Sequence, residues 1–160
     1  NARAMVTAMS DTLAALDPAR AAAYRANGAR TLERIDALDK ELDNTLAPFR
    51  GRPYVVFHDA YRYFQHRYRV PHAAALTRHP ERPPGARKLS RVRQTMIRTN
   101  VRCAFAEPGT SPALMTALVR GTRASMATLD PLGAALTPGR DTWFTLMRYL
   151  AGALTGCLNN

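Results

Sequence analysis

The sequence predicts an α/β protein in which a four-stranded parallel sheet is flanked by helices and preceded by a long backbone helix. Two patterns support this fold. Short apolar runs alternate with amphipathic helical patterns after residue 50, and a helical stripe continues for nearly thirty residues before it. With 160 residues, 46% of them hydrophobic, the chain is long enough to bury one core. We therefore expect a helical segment at 1–50 and one α/β lobe at 51–160.

Two helical patterns occupy the first fifty residues. Met5, Met9 and Leu13 recur every four positions, which predicts a first helix ending near Asp17 and Pro18. Asp17 suits the capping position of the next helix, and Pro18 suits its first turn. The second apolar stripe comprises Tyr24, Leu32, Ile35, Leu38, Leu42 and Leu46. It predicts either one long helix or two helices broken near residues 27–28, and both remain open.

The remaining elements alternate in type. The predicted strands cover 54–57, 73–76, 101–106 and 124–129, and the predicted helices cover 60–69, 86–99, 112–121 and 141 onward. The first strand is a continuous apolar run, typical of a strand covered on both faces, and the fourth is also expected to be buried. Right-handed crossovers place all strand carboxyl ends at one edge of a parallel sheet. His58, Glu107 and Asp130 should therefore share that edge.

The segments at 57–61 (FHDAY) and 128–133 (TLDPLG) each bring a metal ligand to a strand end. The imidazole of His58 and the carboxylate of Asp130 are donors that suit Zn²⁺. A lone strand-end histidine is also common without any metal, and Asp130 precedes a proline, as turn-initiating aspartates do. Both interpretations remain open. A closed zinc site needs four donors, and the sequence offers two convincing ones.

Two further carboxylates lie near these segments. Asp59 is a pocket candidate or a cap for the helix that follows it. Glu107 either pairs with an arginine or accepts a hydrogen bond from His58 behind the metal. His66, His72 and His79 are spaced six and seven residues apart, which does not place them on one helix face, so we expect them at the surface. No nucleophile motif, phosphate loop or His-Glu-x-x-His pattern is present, and we expect no enzyme activity.

The formal net charge of +11 comes mainly from arginine. The segment 62–102 holds ten arginines and Lys88 against one acid, Glu81. This segment is either an ordinary solvated surface or a basic interaction module that binds an acidic partner or nucleic acid. No nucleic-acid-binding motif accompanies the charge, and the basic residues at 87–98 alternate with apolar ones at helical spacing. Nucleic acid is therefore not the expected partner.

The two cysteines are 54 positions apart and lack any C-x-x-C partner. Cys103 lies in a predicted strand and Cys157 near the end of the last helix. A bridge between them and two free buried thiols are both open; a bridge would indicate an oxidising compartment. The apolar runs are too short for a membrane span. The chain starts without Met in a helical pattern, and we expect it to be a fragment.

Taken together, several segments resemble the metal-binding (cluster A-I) solute-binding proteins of ABC importers, in particular the periplasmic zinc-uptake members. The matching segments, in order, are 1–5 (NARAM), 16–18 (LDP), 57–61 (FHDAY) with 63–64 (YF), 84–86 (PGA), 105–108 (FAEP), 120–122 (RGT) and 128–133 (TLDPLG). Each motif is modest alone, but their order covers essentially the whole chain. Cys103 and Cys157 lie where zinc-uptake relatives of Gram-negative bacteria carry a disulfide.

The resemblance implies one lobe of a two-lobed periplasmic protein that captures Zn²⁺ in an inter-lobe cleft and delivers it to an inner-membrane permease. His58 would be the carboxyl-lobe histidine ligand, and Asp130 a direct ligand or a neighbouring group. Histidine at this position favours zinc over Mn²⁺. The amino-terminal lobe, with further histidine ligands, is absent from this chain, so the fragment alone should bind zinc weakly. A metal-binding adhesin of the same fold is an alternative, and the apolar face of the first helices suggests a homodimer of the fragment.

Overall fold

A computed structural model of the chain describes residues 1–82 and 84–159. The helices are α1 (Ala2–Leu16), α2 (Ala21–Leu46), α3 (Arg62–Tyr68), α4 (Ala86–Arg98), α5 (Pro112–Val119) and α6 (Thr142–Leu158). The strands are β1 (Tyr54–His58), β2 (Ala74–Thr77), β3 (Cys103–Ala106) and β4 (Ser125–Thr128). The chain divides into two compact units, Asn1–Asp43 and Asn44 to the carboxyl end. Among the described residues, no helix is long and apolar enough to cross a membrane.

In the first unit, α1 contacts α2 near Ser10 and Gly28. Helix α2 is continuous, so the single long helix is confirmed and a break near residue 28 is wrong. Gly28 is buried, and a β-carbon there would lie 2.8 Å from the Ser10 hydroxyl oxygen, so this glycine lets the two helices approach closely. The Ser10 hydroxyl also donates to the Tyr24 carbonyl at 3.2 Å. A glycine that sequence reasoning treats as a breaker thus serves packing.

The residues between α1 and α2 form a short 3₁₀ turn, Pro18–Arg20, rather than the first turn of α2. Asp17 makes no capping bond, contrary to the sequence prediction. Its carboxylate instead accepts from Arg20 Nε at 2.6 Å and from the Tyr24 hydroxyl at 3.2 Å. The carboxylate therefore ties the turn to α2 through side chains.

The second unit contains the parallel sheet, in the order β2-β1-β3-β4. The predicted four-stranded parallel sheet is confirmed. Residues of β1 and β3 meet α4 and α5 in one core cluster, in which Val55, Val92, Met96, Ala104 and Leu118 are buried. On β1, Tyr54 alternates with Val55 and so points to the other face, where it lines an interior pocket with side chains of α3 and α6. Both faces of the two central strands are thus covered.

Strand β4 does not match the prediction of a buried strand. Ser125, Met126 and Thr128 are exposed, and β4 has β3 as its one strand neighbour. The apolar composition around 124–129 resembles that of a covered strand, but an edge position leaves these side chains open to solvent. Burial begins only at Leu129 and Asp130, after the strand has ended.

A disulfide joins Cys103 in β3 to Cys157 in α6, with their Cα atoms 6.0 Å apart. The predicted bridge is confirmed, and the alternative of two free thiols is wrong. Because Cys103 and Tyr54 are register partners on adjacent strands, the crosslink ties α6 to the centre of the sheet.

Candidate metal centre

Three adjacent strands bring the predicted site residues to one edge of the sheet. His58 is the last residue of β1, Glu107 directly follows β3, and Asp130 lies two residues after β4. The strands are parallel and neighbours in the order β1-β3-β4, so their carboxyl ends lie side by side. This is the edge at which open α/β sheets place their ligands.

Glu107 lies directly beside His58. The His58 Nδ1 atom is 3.5 Å from Glu107 Oε2, and the side chains are 22% and 13% exposed. Within the described residues Glu107 contacts His58 and Tyr61 rather than an arginine. The geometry therefore favours the interpretation in which the Glu107 carboxylate lies behind His58 over pairing with an arginine. The backbone of Glu107 is fixed as well, since its N–H donates to Thr110 Oγ1 at 3.0 Å.

Tyr61 links two of the strand ends, and sequence reasoning missed it. Its hydroxyl lies 3.1 Å from Glu107 Oε1 and 3.1 Å from the carbonyl oxygen of Leu129, and the residue is 6% exposed. Burial raises the pKa of Tyr61 far above its ordinary value, and the charges of Glu107 and Asp130 raise it further. The hydroxyl therefore remains a donor. Its signal in the sequence was its place at the end of the 57–61 segment, three residues after His58.

The Asp130 carboxylate is occupied mainly by its own turn. Oδ1 accepts from the N–H groups of Leu132 at 3.0 Å and Gly133 at 2.9 Å, and Oδ2 accepts from Ala134 N–H at 2.6 Å. The turn interpretation of this Asp-Pro pair is therefore what the structure shows. A carboxylate offers about four acceptor positions, so about one remains, on Oδ2. Asp130 is 6% exposed and would meet a metal with that oxygen alone.

Asp59 does not act as a helix cap. Helix α3 begins at Arg62 with Tyr61 as its capping residue, without a side-chain capping bond. Asp59 is still in the sheet pairing, because its N–H donates to the Thr77 carbonyl at 3.1 Å. Burial lowers the pKa of His72, and the charge of Asp59 opposes that shift.

His72 is not a surface residue as predicted. It is half-buried, and its Nδ1 lies 2.7 Å from the side-chain nitrogen of buried Gln65. Burial lowers the pKa of His72, an effect that the charge of Lys88 reinforces and that of Asp59 opposes. His66 and His79 are exposed, as predicted.

The donors at the strand-end edge do not make a complete site. Within residues 1–82 and 84–159, no group of three or more His, Cys, Asp or Glu side chains is placed to hold a metal ion. The edge offers one imidazole, one carboxylate behind it and one remaining carboxylate oxygen. An arrangement of this kind can supply part of a tetrahedral zinc sphere and requires donors from elsewhere.

Comparison with known proteins decides the family. Residues 1–157 match the family model described as the periplasmic zinc-uptake complex component A, ZnuA. The chain belongs to the ZnuA family. It is 37% identical over 159 residues to the high-affinity zinc uptake system protein ZnuA of Brucella suis, and 36% identical over 159 residues to that of Paracoccus denitrificans. Proteins of the ZnuA family are transport components rather than enzymes.

Solved structures agree with this assignment. A ZnuA crystal structure matches 95% of the chain with a TM-score of 0.80 and 26% identity, and the chain covers 56% of it. A laminin-binding adhesin of Streptococcus agalactiae matches 93% of the chain with a TM-score of 0.80 and 25% identity, with 56% of its own chain covered. The match with the Brucella suis protein covers 99% of this chain but only 48% of that protein. It thus spans about half the length of the ZnuA proteins it matches and forms one lobe of their fold.

Proposed function

We propose that this chain is the carboxyl-terminal half of a periplasmic protein that captures Zn²⁺ and delivers it to an ABC permease in the inner membrane. The observation that carries the proposal is the position of His58, partly exposed at the strand-end edge with Glu107 behind it. ZnuA family membership supports zinc as the cargo. Imidazole is a better ligand for Zn²⁺ than for Mn²⁺, which prefers oxygen donors.

Each residue has a distinct role in this proposal. His58 binds the metal through Nε2, because Nδ1 faces Glu107. The Glu107 carboxylate accepts from Nδ1–H, which holds the ring proton on Nδ1 and leaves the Nε2 lone pair for the metal. Asp130 contributes its remaining Oδ2 position or its charge. The other donors, histidines among them, come from an amino-terminal lobe outside this chain, and the half-site geometry supports that division.

A substitution of His58 tests the proposal in the full-length protein. We expect His58→Ala to weaken zinc binding by more than about 100-fold, beyond the 10–100-fold typical of residues behind the ligands. His66→Ala is the matched control, since His66 is an exposed histidine of the same lobe. The measurement is a competition titration with a zinc chelator at fixed pH and salt. Unchanged affinity in His58→Ala would exclude this residue as a ligand.

The basic surface supports a second candidate activity, docking of an acidic partner. Arg87, Arg91 and Arg98 are exposed at helical positions i, i+4 and i+11 of α4, opposite the buried Val92 and Met96. Helix α4 contains no acidic residue. Binding through this stripe should fall steeply with salt, whereas zinc ligation should depend on pH. Partner binding that does not weaken with salt would show that these arginines are not the docking surface.

A further inference from the structure

The contacts of Tyr61 connect all three strand ends of the candidate site. Tyr61 follows β1, its hydroxyl contacts the carboxylate that follows β3, and the same hydroxyl contacts the carbonyl of Leu129, the residue before Asp130. A tyrosine hydroxyl has one proton and can donate to one of these oxygens at a time. An ionised carboxylate is a stronger acceptor than a carbonyl, so the Tyr61 hydroxyl donates to Glu107 Oε1.

We propose that Tyr61 is a positioning residue that fixes the Glu107 carboxylate so that His58 keeps its ring proton on Nδ1 and presents Nε2 to zinc. This inference rests on the proposed function of His58 as a ligand. It adds a residue that never touches the metal and acts through two others.

The two oxygens of Glu107 contact different residues, which supports this role. Oε1 is 3.1 Å from the Tyr61 hydroxyl, and Oε2 is 3.5 Å from His58 Nδ1. A glutamate side chain has several rotatable bonds, and the Glu107 backbone is held by reciprocal contacts with Thr110 at 3.0 Å. With the backbone fixed and Oε1 engaged, the direction of Oε2 is set. Tyr61 is the described side chain that engages Oε1.

Burial makes this arrangement specific. Glu107 is only 13% exposed, so water replaces a lost partner incompletely. Without the Tyr61 hydroxyl, the carboxylate would turn toward solvent or toward other donors, and Nδ1 of His58 would lose its acceptor. An imidazole without such an acceptor divides its proton between both nitrogens. The fraction of His58 ready to bind through Nε2 would then fall.

The test compares Tyr61→Phe with Tyr63→Phe in the full-length protein. Tyr63 is 79% exposed and is the matched control for losing a tyrosine hydroxyl. Two quantities are measured: the zinc dissociation constant by chelator competition, and the His58 tautomer in metal-free protein by ¹⁵N NMR of the imidazole. We expect Tyr61→Phe to shift His58 from the Nδ1–H form to a mixture. Because only the Nδ1–H fraction can bind through Nε2, zinc binding should weaken about 2–10-fold, with Tyr63→Phe unchanged.

Other outcomes would overturn the inference. Wild-type affinity in Tyr61→Phe, or weaker affinity with an unchanged His58 tautomer, would show that Tyr61 does not act through Glu107. Lower thermal stability alone would show a packing role only. If Tyr61→Phe does not fold, Glu107→Gln tests the same link, and an unchanged tautomer there overturns it. If His58→Ala leaves zinc binding intact, the proposed function fails; if His58→Ala abolishes binding while Tyr61→Phe does not alter it, only this inference fails.

Discussion

At the residue scale, Asp130 combines a structural role with its proposed metal role. Its carboxylate accepts three backbone N–H groups of one turn, and two of those residues, Leu132 and Ala134, are themselves exposed. If the carboxylate is removed, water can therefore accept hydrogen bonds from some of these N–H groups. The structural role should persist without metal, so stability and zinc affinity can be separated.

We expect Asp130→Ala to lower the free energy of unfolding of the metal-free protein by roughly 2 kcal/mol, since unsatisfied amide donors cost about 1–3 kcal/mol each and solvent lowers that cost here. Asp130→Asn keeps one acceptor oxygen, so the free energy of unfolding should fall by about half as much as in Asp130→Ala. The measurement is urea denaturation with chelator present. The exposed Asp11→Ala in α1 is the control and should be neutral. Wild-type stability of Asp130→Ala would contradict the turn role.

His72 should make stability depend on pH. Burial lowers the pKa of His72 in the folded protein below its value of about 6.5 in the unfolded chain. The unfolded chain therefore binds the proton first as pH falls, and the free energy of unfolding decreases below about pH 6.5. His72→Gln should flatten this decrease in metal-free protein, while the exposed His79→Gln should not. Identical slopes in wild type and His72→Gln would show that His72 does not contribute.

The sequence predicted which residues lie at the strand-end edge but not all of their contacts. His58, Glu107 and Asp130 could be predicted because a strand end followed by a donor is a local pattern. Tyr61 could not, because an aromatic residue at a helix start resembles core, and its two acceptors come from strands 46 and 68 positions away. Which N–H groups the Asp130 oxygens accept from depends on the geometry of the turn at 132–134. The Asp-Pro pair predicts a turn but not that geometry.

At the element scale, helix α2 shows why one residue can be misinterpreted. Gly28 lowers helix propensity and resembles a break, yet the helix continues because the glycine is needed where α1 crosses. Strand β4 shows the opposite error, since an apolar composition at an edge position remains exposed. The continuity of α2 and the exposure of β4 both depend on neighbouring elements, which a local sequence pattern does not reveal. The parallel sheet could be predicted because alternation of strands and helices constrains it.

Gly28→Ala should destabilise the protein even though alanine favours helix by about 1 kcal/mol over glycine. The new methyl group would lie 2.8 Å from the Ser10 hydroxyl and 3.0 Å from its β-carbon, so α1 and α2 would have to separate. Gly152→Ala in α6 is the matched control, because nothing lies within 4 Å of its β-carbon. That change should raise the melting temperature while Gly28→Ala lowers it. Equal stabilisation by both would show that the helix contact is not close.

At the scale of the whole molecule, α1 exposes an apolar stripe. Met5, Met9, Leu13 and Leu16 lie on one face of the helix and are 61%, 55%, 45% and 77% exposed. Apolar faces of this kind rarely persist uncovered. In the proposed two-lobed protein, the amino-terminal lobe is the expected cover. Self-association of the isolated chain through this stripe is the alternative.

In the proposed protein, the zinc site is divided between the amino-terminal lobe and this chain. This chain should bind zinc weakly, because one imidazole and the remaining Asp130 oxygen cannot replace the water shell as four donors can. The full-length protein should bind one zinc tightly, and isothermal titration of both at the same pH and salt measures the difference. Light scattering on the same samples controls for dimers, which would bring two half-sites together. Equal tight binding by a monomeric fragment would mean that this lobe holds a complete site and that no second lobe is needed.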